Sequence, residues 1–148
     1  MKSMTGLLWG VVLAAAAGAA EPTPSFRAAQ PVWPEGRETE KNLLVAFRAE
    51  ITPPDAGPVI LRMTGSTLCR ALVNGRLAAH GPARAGHGFY RVDEWDLRPH
   101  LKAGKNAVVV EVAGYNASSY YLLDQPSFLQ AEIVAGDRVL AATGAEGL

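Results

Sequence analysis

Between Gly81 and Leu97 the chain reads GPARAGHGFYRVDEWDL, and His80 stands just before it. No other stretch gathers so many groups capable of chemistry. Asp93 and Glu94 raise the question of a carboxylate pair, the arrangement that glycosidic hydrolysis needs on the two sides of one bond. They are neighbours in sequence, and on an extended chain neighbouring side chains point to opposite faces. The pair therefore cannot easily address one substrate, and Glu50, Glu111, Asp124 and Glu132 are scattered over other segments. No catalytic residue is expected here. His80, His87 and Asp93 could be metal ligands, but their spacing matches no motif with a mechanical reason behind it, unlike two histidines one helical turn apart. A carboxylate-rich calcium loop is also missing from the pattern. Neither a metal nor another cofactor is expected. Arg84 and Arg91 can tie a glycine-rich loop to its own carbonyls or make bidentate contacts to a ligand. Tyr90, Trp95, Tyr115, Tyr120 and Tyr121 can fill a core or offer flat faces for stacking.

The elements that must position these groups begin after a leader. Met1 and Lys2 give a positive start, Leu7 to Ala17 is unbroken small and apolar, and Gly18, Ala19 and Ala20 suit a signal peptidase. The run is shorter than the roughly 18 to 20 residues a spanning helix needs. Residues 1–20 are expected to be a secretory signal peptide. The mature chain would then be secreted or periplasmic, with no membrane association after cleavage. Cys69, the single cysteine, cannot form a disulfide within the chain. It lies in the apolar run TLCRALV, as a buried small hydrophobe would. Lys plus Arg equals Asp plus Glu at 14 each, so no basic face is implied and nucleic acid is not an expected partner.

Residues 21–42 are proline-rich and lack a period, which predicts an extended lead-in that Trp33 pins by burying its ring. Residues 43–148 form the module proper. Leu43, Val45, Phe47, Ala49 and Ile51 alternate with Ala46, Arg48, Glu50 and Thr52, the mark of a half-buried strand. Strands are also predicted around Val59 to Thr64, Thr67 to Val73, Arg76 to His80, Val108 to Val112, Phe128 to Val134 and Arg138 to Ala142. Tyr90 and Val92 alternate as if entering a further strand. Asn74-Gly75 signals a type I′ hairpin and Gly136-Asp137 a second two-residue turn. Asp96 is placed to cap one short helical turn that sends Leu97 and Leu101 to the same side, with Gly104 as a left-handed stop. About seven short strands and almost no helix predict an all-β chain, an antiparallel β-sandwich.

The order of certain residues then narrows the choice. Val73-Asn74-Gly75, Gly81-Pro82, Tyr90, Asp96-Leu97 and the run Leu101-Lys102-Ala103-Gly104-Lys105-Asn106 before an apolar strand resemble the N-terminal β-sandwich module of bacterial α-L-rhamnosidases and related glycoside hydrolases. The run SYYLLDQPSFLQAEI looks like the same group more narrowly. Cys69 departs from that pattern, where an aromatic would be expected. The resemblance covers about residues 30 to 142 and implies a jelly-roll, galactose-binding-like sandwich. It further implies a non-catalytic accessory module of a secreted α-L-rhamnosidase-like glycoside hydrolase, the catalytic α/α barrel lying further along the parent chain. That barrel and a rhamnose-containing carbohydrate are the partners it implies. Two alternatives stay open: a free-standing, lectin-like sugar-binding module, and an interaction domain with no sugar role. The residues that could touch a glycan or a neighbouring domain are Arg84, His87, Tyr90, Arg91, Trp95, Tyr115, Asn116, Tyr120 and Tyr121.

Overall fold

The computed structural model describes residues 24–86, 88–120 and 122–145. The period-two segment becomes β1 (Leu43–Ile51), with Ala49 and Ile51 buried and Leu44 left 65% exposed on the outer side. The other strands are β2 (Ile60–Gly65), β3 (Cys69–Val73), β4 (Arg76–Gly81), β5 (Asp93–Asp96), β6 (Asn106–Gly114), β7 (Leu129–Ala135) and β8 (Arg138–Ala142). They form two four-stranded sheets, ordered β1-β6-β3-β4 and β5-β2-β7-β8, with every strand pair antiparallel. Inward residues of both sheets make one core. Leu61, Met63, Leu129 and Ile133 come from one sheet, and Ala71, Val73, Val108, Val110 and Val112 from the other. Burial of these apolar side chains is the main stabilising term, at about 25 cal/mol per Å² of apolar surface removed from water.

The two hairpins form as expected. Asn74 and Gly75 have φ of 51° and 80°, both positive as a type I′ turn demands, and Val73 pairs with Arg76 across them. At the second turn only Gly136 is left-handed, with φ 57°, which is the II′ pattern.

Three expectations need correction. The strand foreseen from Tyr90 starts only at Asp93, because the Asp93 carboxylate accepts the Ala83 N–H at 2.7 Å and so closes a loop rather than continuing a ladder. This makes eight named strands among the described residues instead of about seven. Asp96 does not cap a helix. Its Oδ1 accepts from the Arg98 N–H at 2.9 Å and the Val59 N–H at 3.2 Å, a local turn with a cross-strand bond. The chain then makes a three-residue 3₁₀ turn, Arg98–His100, with Pro99 inside its first turn. Leu97 is nonetheless fully buried, and Leu101 packs partly buried against the core.

The proline-rich lead-in runs over the second sheet and is bonded to it. Glu132 Oε2 accepts the N–H groups of Arg27, Ala28 and Ala29 at 2.9, 3.0 and 3.4 Å. Gln30 donates to the Thr143 carbonyl, and Val32 and Leu129 exchange backbone hydrogen bonds. Trp33 packs against the core beside Phe47, ring centroids 6.0 Å apart, and donates its indole N–H to the Arg37 carbonyl at 3.1 Å. The signal-peptide expectation falls on residues 1–20, outside the described residues.

Candidate functional site

Two loops meet over one end of the sandwich. The first leaves β4 at Gly81 and returns to β5; the second leaves β6 at Gly114 and returns to β7. A groove of about 1060 Å³ lies between them and the β2–β3 connection Ser66-Thr67-Leu68.

Asp93 fixes the base of the first loop. Its carboxylate takes the Ala83 N–H at one end and the Arg91 guanidinium, 3.3 Å away, at the other. Gly81 is required beneath it, since a Cβ there would stand 2.6 Å from Asp93 Oδ2. Asn116 fixes the base of the second loop. It is buried at φ 44°, and its amide nitrogen contacts the Glu38 carbonyl, the Glu40 carbonyl and Ser127 Oγ at 3.1, 2.8 and 2.9 Å. The loops are then tied together. The Tyr90 hydroxyl donates to Gln125 Oε1 at 2.8 Å, and Gln125 Nε2 donates to the Ser66 carbonyl at 2.7 Å. The Tyr90 ring meets Phe128 edge-on at 4.9 Å. An aromatic ring held at its tip and its edge, with half its surface in solvent, is an ordered platform.

The structure brings four of the nine candidates onto this groove: Arg84, Tyr90, Arg91 and Tyr115. Tyr120 lies on the second loop and is 92% exposed. His87 and Tyr121 lie outside the described residues. Trp95 is elsewhere. It packs partly buried against the core on β5, its ring 5.3 Å from that of His80. Asn116 is buried under the second loop and offers no surface to a ligand. Lining residues not singled out from the sequence include Leu68, Phe89, Leu123 and Gln125, and Asp124 figured there only as a scattered carboxylate. Asp124 and Gln125 sit inside the SYYLLDQPSFLQAEI run, which was the available signal.

The carboxylates do not converge on a substrate. Asp93 holds the first loop, while Glu94 pairs with Arg62 at 2.6 Å. Arg62 also reaches the wholly buried Glu132 at 3.2 Å, so that a guanidinium separates the two glutamates. Burial opposes ionisation of Glu132, yet the N–H groups of residues 27–29 and Arg62 outweigh it and hold its carboxyl below the ordinary value. Glu50 pairs with Lys105 at 2.7 Å and Glu111 with Arg70 at 2.5 Å. Cys69 is buried, and desolvation with the nearby Asp93 charge pushes its thiol up to about 12, opposite to what a nucleophile needs. Among the described residues no three His, Cys, Asp or Glu side chains stand where they could hold a metal ion.

The two stacked antiparallel sheets define a β-sandwich module, and comparison with solved structures shows that it is rhamnosidase-like. The crystal structure of the GH78 family rhamnosidase of Bacillus sp. GL1 matches with a TM-score of 0.75 and 30% sequence identity, over 82% of this chain. The chain spans 13% of that protein. A PA14 sugar-binding domain from an RTX adhesin matches with a TM-score of 0.44 and 16% identity, over 69% of this chain and 51% of that one, too distant to carry an argument. No family model and no curated protein matches the chain.

Proposed function

We propose that the chain is a non-catalytic accessory module of a secreted α-L-rhamnosidase-like glycoside hydrolase, and that its end groove binds carbohydrate. The observation that carries this reading is the groove itself, a concave site with the fixed Tyr90 ring, Tyr115 and Phe89 beside polar groups on Arg91, Asp124 and Gln125. Flat rings with a few placed polar groups are what a pyranose requires, with an apolar face to stack and hydroxyls to bond. The likeness to one segment of a GH78 rhamnosidase supports the accessory role. The jelly-roll, galactose-binding-like assignment, export on a signal peptide at residues 1–20 and support of a catalytic barrel belong to the same proposal.

Calorimetric titration of the purified chain with rhamnose-containing oligosaccharides tests the binding, and an aryl α-L-rhamnoside tests for turnover. Saturable binding without turnover is expected. Turnover that vanishes in Glu94→Ala or Asp93→Ala would overturn the non-catalytic role. The second reading, a free-standing sugar-binding module, draws on the hydrogen bonds that preform the groove within this chain alone. The open reading frame around the coding sequence separates the two: a contiguous catalytic barrel favours the first.

A further inference from the structure

We infer that the groove is selective for an acidic saccharide, one bearing a ring carboxylate, which Arg91 receives while Tyr90 stacks on the sugar. This rests on the carbohydrate reading of the groove and adds the chemical class of the ligand.

The argument starts from how Arg91 is held. Its side chain is 63% exposed and its Nε lies 3.3 Å from Asp93 Oδ1, an ion pair with a carboxylate that is only 11% exposed. Asp93 is in turn fixed by the Ala83 N–H at 2.7 Å. The contact positions the guanidinium without consuming it, since no hydrogen bond from Arg91 to another described residue accompanies it. An arginine carries five N–H donors in a planar fork, and that fork matches a carboxylate through two parallel hydrogen bonds. The residue next to it in sequence is Tyr90, whose ring is immobilised by Gln125 and Phe128. A planar donor fork adjoining a fixed aromatic face suits a uronic acid unit, which has a carboxylate on one edge of a ring that stacks.

With Asp93 beneath Arg91 the charges about the groove are balanced, Arg84 and Arg91 against Asp93 and Asp124, so the selectivity rests on the exposed donor edge of Arg91 beside Tyr90. The volume, about 1060 Å³, stands at the upper end of small-ligand clefts, so it admits more than one sugar unit. A neutral unit such as rhamnose and an acidic neighbour can lie in it together.

The test compares two ligands that differ only in charge. An oligosaccharide of alternating rhamnose and galacturonate units is titrated into the full chain, beside the same oligosaccharide with its carboxyls reduced to CH2OH. The acidic form is expected to bind at least tenfold tighter at low salt, with the advantage shrinking as ionic strength rises. Arg91→Gln is expected to abolish the difference between the two forms, so that the variant binds the acidic and the reduced oligosaccharide with affinities within twofold of each other. Equal binding of the two oligosaccharides by the unmodified protein would overturn the acidic selectivity and leave the carbohydrate reading standing. Binding of neither would overturn both. The ligand comparison needs no variant, so it decides the matter even if Arg91→Gln disturbs the loop.

Discussion

Two side chains of chemically versatile types, Cys69 and Trp95, serve the core. The Cys69 thiol, pushed up to about 12 by burial, is about one part in ten thousand thiolate at pH 8. It is expected to resist an aromatic disulfide reagent in the native protein and to react fully once guanidinium unfolds the chain, which absorbance at the leaving thiolate would follow. Rapid labelling of the native state would contradict the buried placement. Trp95 is the bulkier case. Its ring lies between the core and His80, and its indole N–H finds no hydrogen-bond partner among the described residues. Trp95→Ala is expected to cost about 2 to 3 kcal/mol, below the full value for a wholly buried tryptophan. Denaturant unfolding measures that loss. Affinity for any saccharide that binds the wild type should stay within twofold, because Trp95 does not line the groove.

The β3–β4 hairpin shows how an element arises from two residues. Gly75 sits at φ 80° with nothing within 4 Å of where a Cβ would stand, so its requirement is one of backbone conformation alone. Gly75→Val is expected to lower stability by about 1 to 3 kcal/mol, and Gly75→Asn by much less, since asparagine tolerates positive φ. Thermal melts of the two variants would settle the difference. Alternation at Leu43 to Ile51, the Asn74-Gly75 pair and the 138–142 return were legible because a period of two and a left-handed turn are local properties. Strand β5 was not. Asp-Glu-Trp-Asp carries three charges in four residues and reads as loop, and it is a strand because Ile60 to Met63 offer it an edge to pair with. The groove was half legible. Tyr90, Arg91 and Tyr115 could be picked by type, but only folding sets Gln125 against Tyr90, 35 positions away, and Ser66 against Gln125, 59 positions away. Asn116 read as an exposed loop amide because nothing near it in sequence reveals the carbonyls of Glu38 and Glu40 that it meets.

At the scale of the molecule, Glu132 on β7 joins the lead-in to Arg62 on β2. Its carboxyl is held below the ordinary value in the folded chain, so its contribution to stability is complete above about pH 5 and is lost as the pH falls below about 4. Glu132→Gln is expected to be less stable at neutral pH and to show a shallower fall in stability between pH 5 and 3 than the parent, by chemical denaturation at several pH values. An unchanged slope would mean that other carboxylates dominate the acid response. The same attachment sets an order in time. The bonds from residues 27–30 reach partners 101 to 113 positions further along. A ribosome therefore makes the lead-in before β7 and β8, and it has nothing to dock on until those two strands have been made and paired. A segment made early is thus among the latest to be placed. Contacts formed after the rate-limiting barrier govern escape from the native state more than entry to it. Cutting the Glu132 attachment should accordingly quicken unfolding and leave the refolding rate nearly as it was, a contrast that the two limbs of a stopped-flow denaturant series would display.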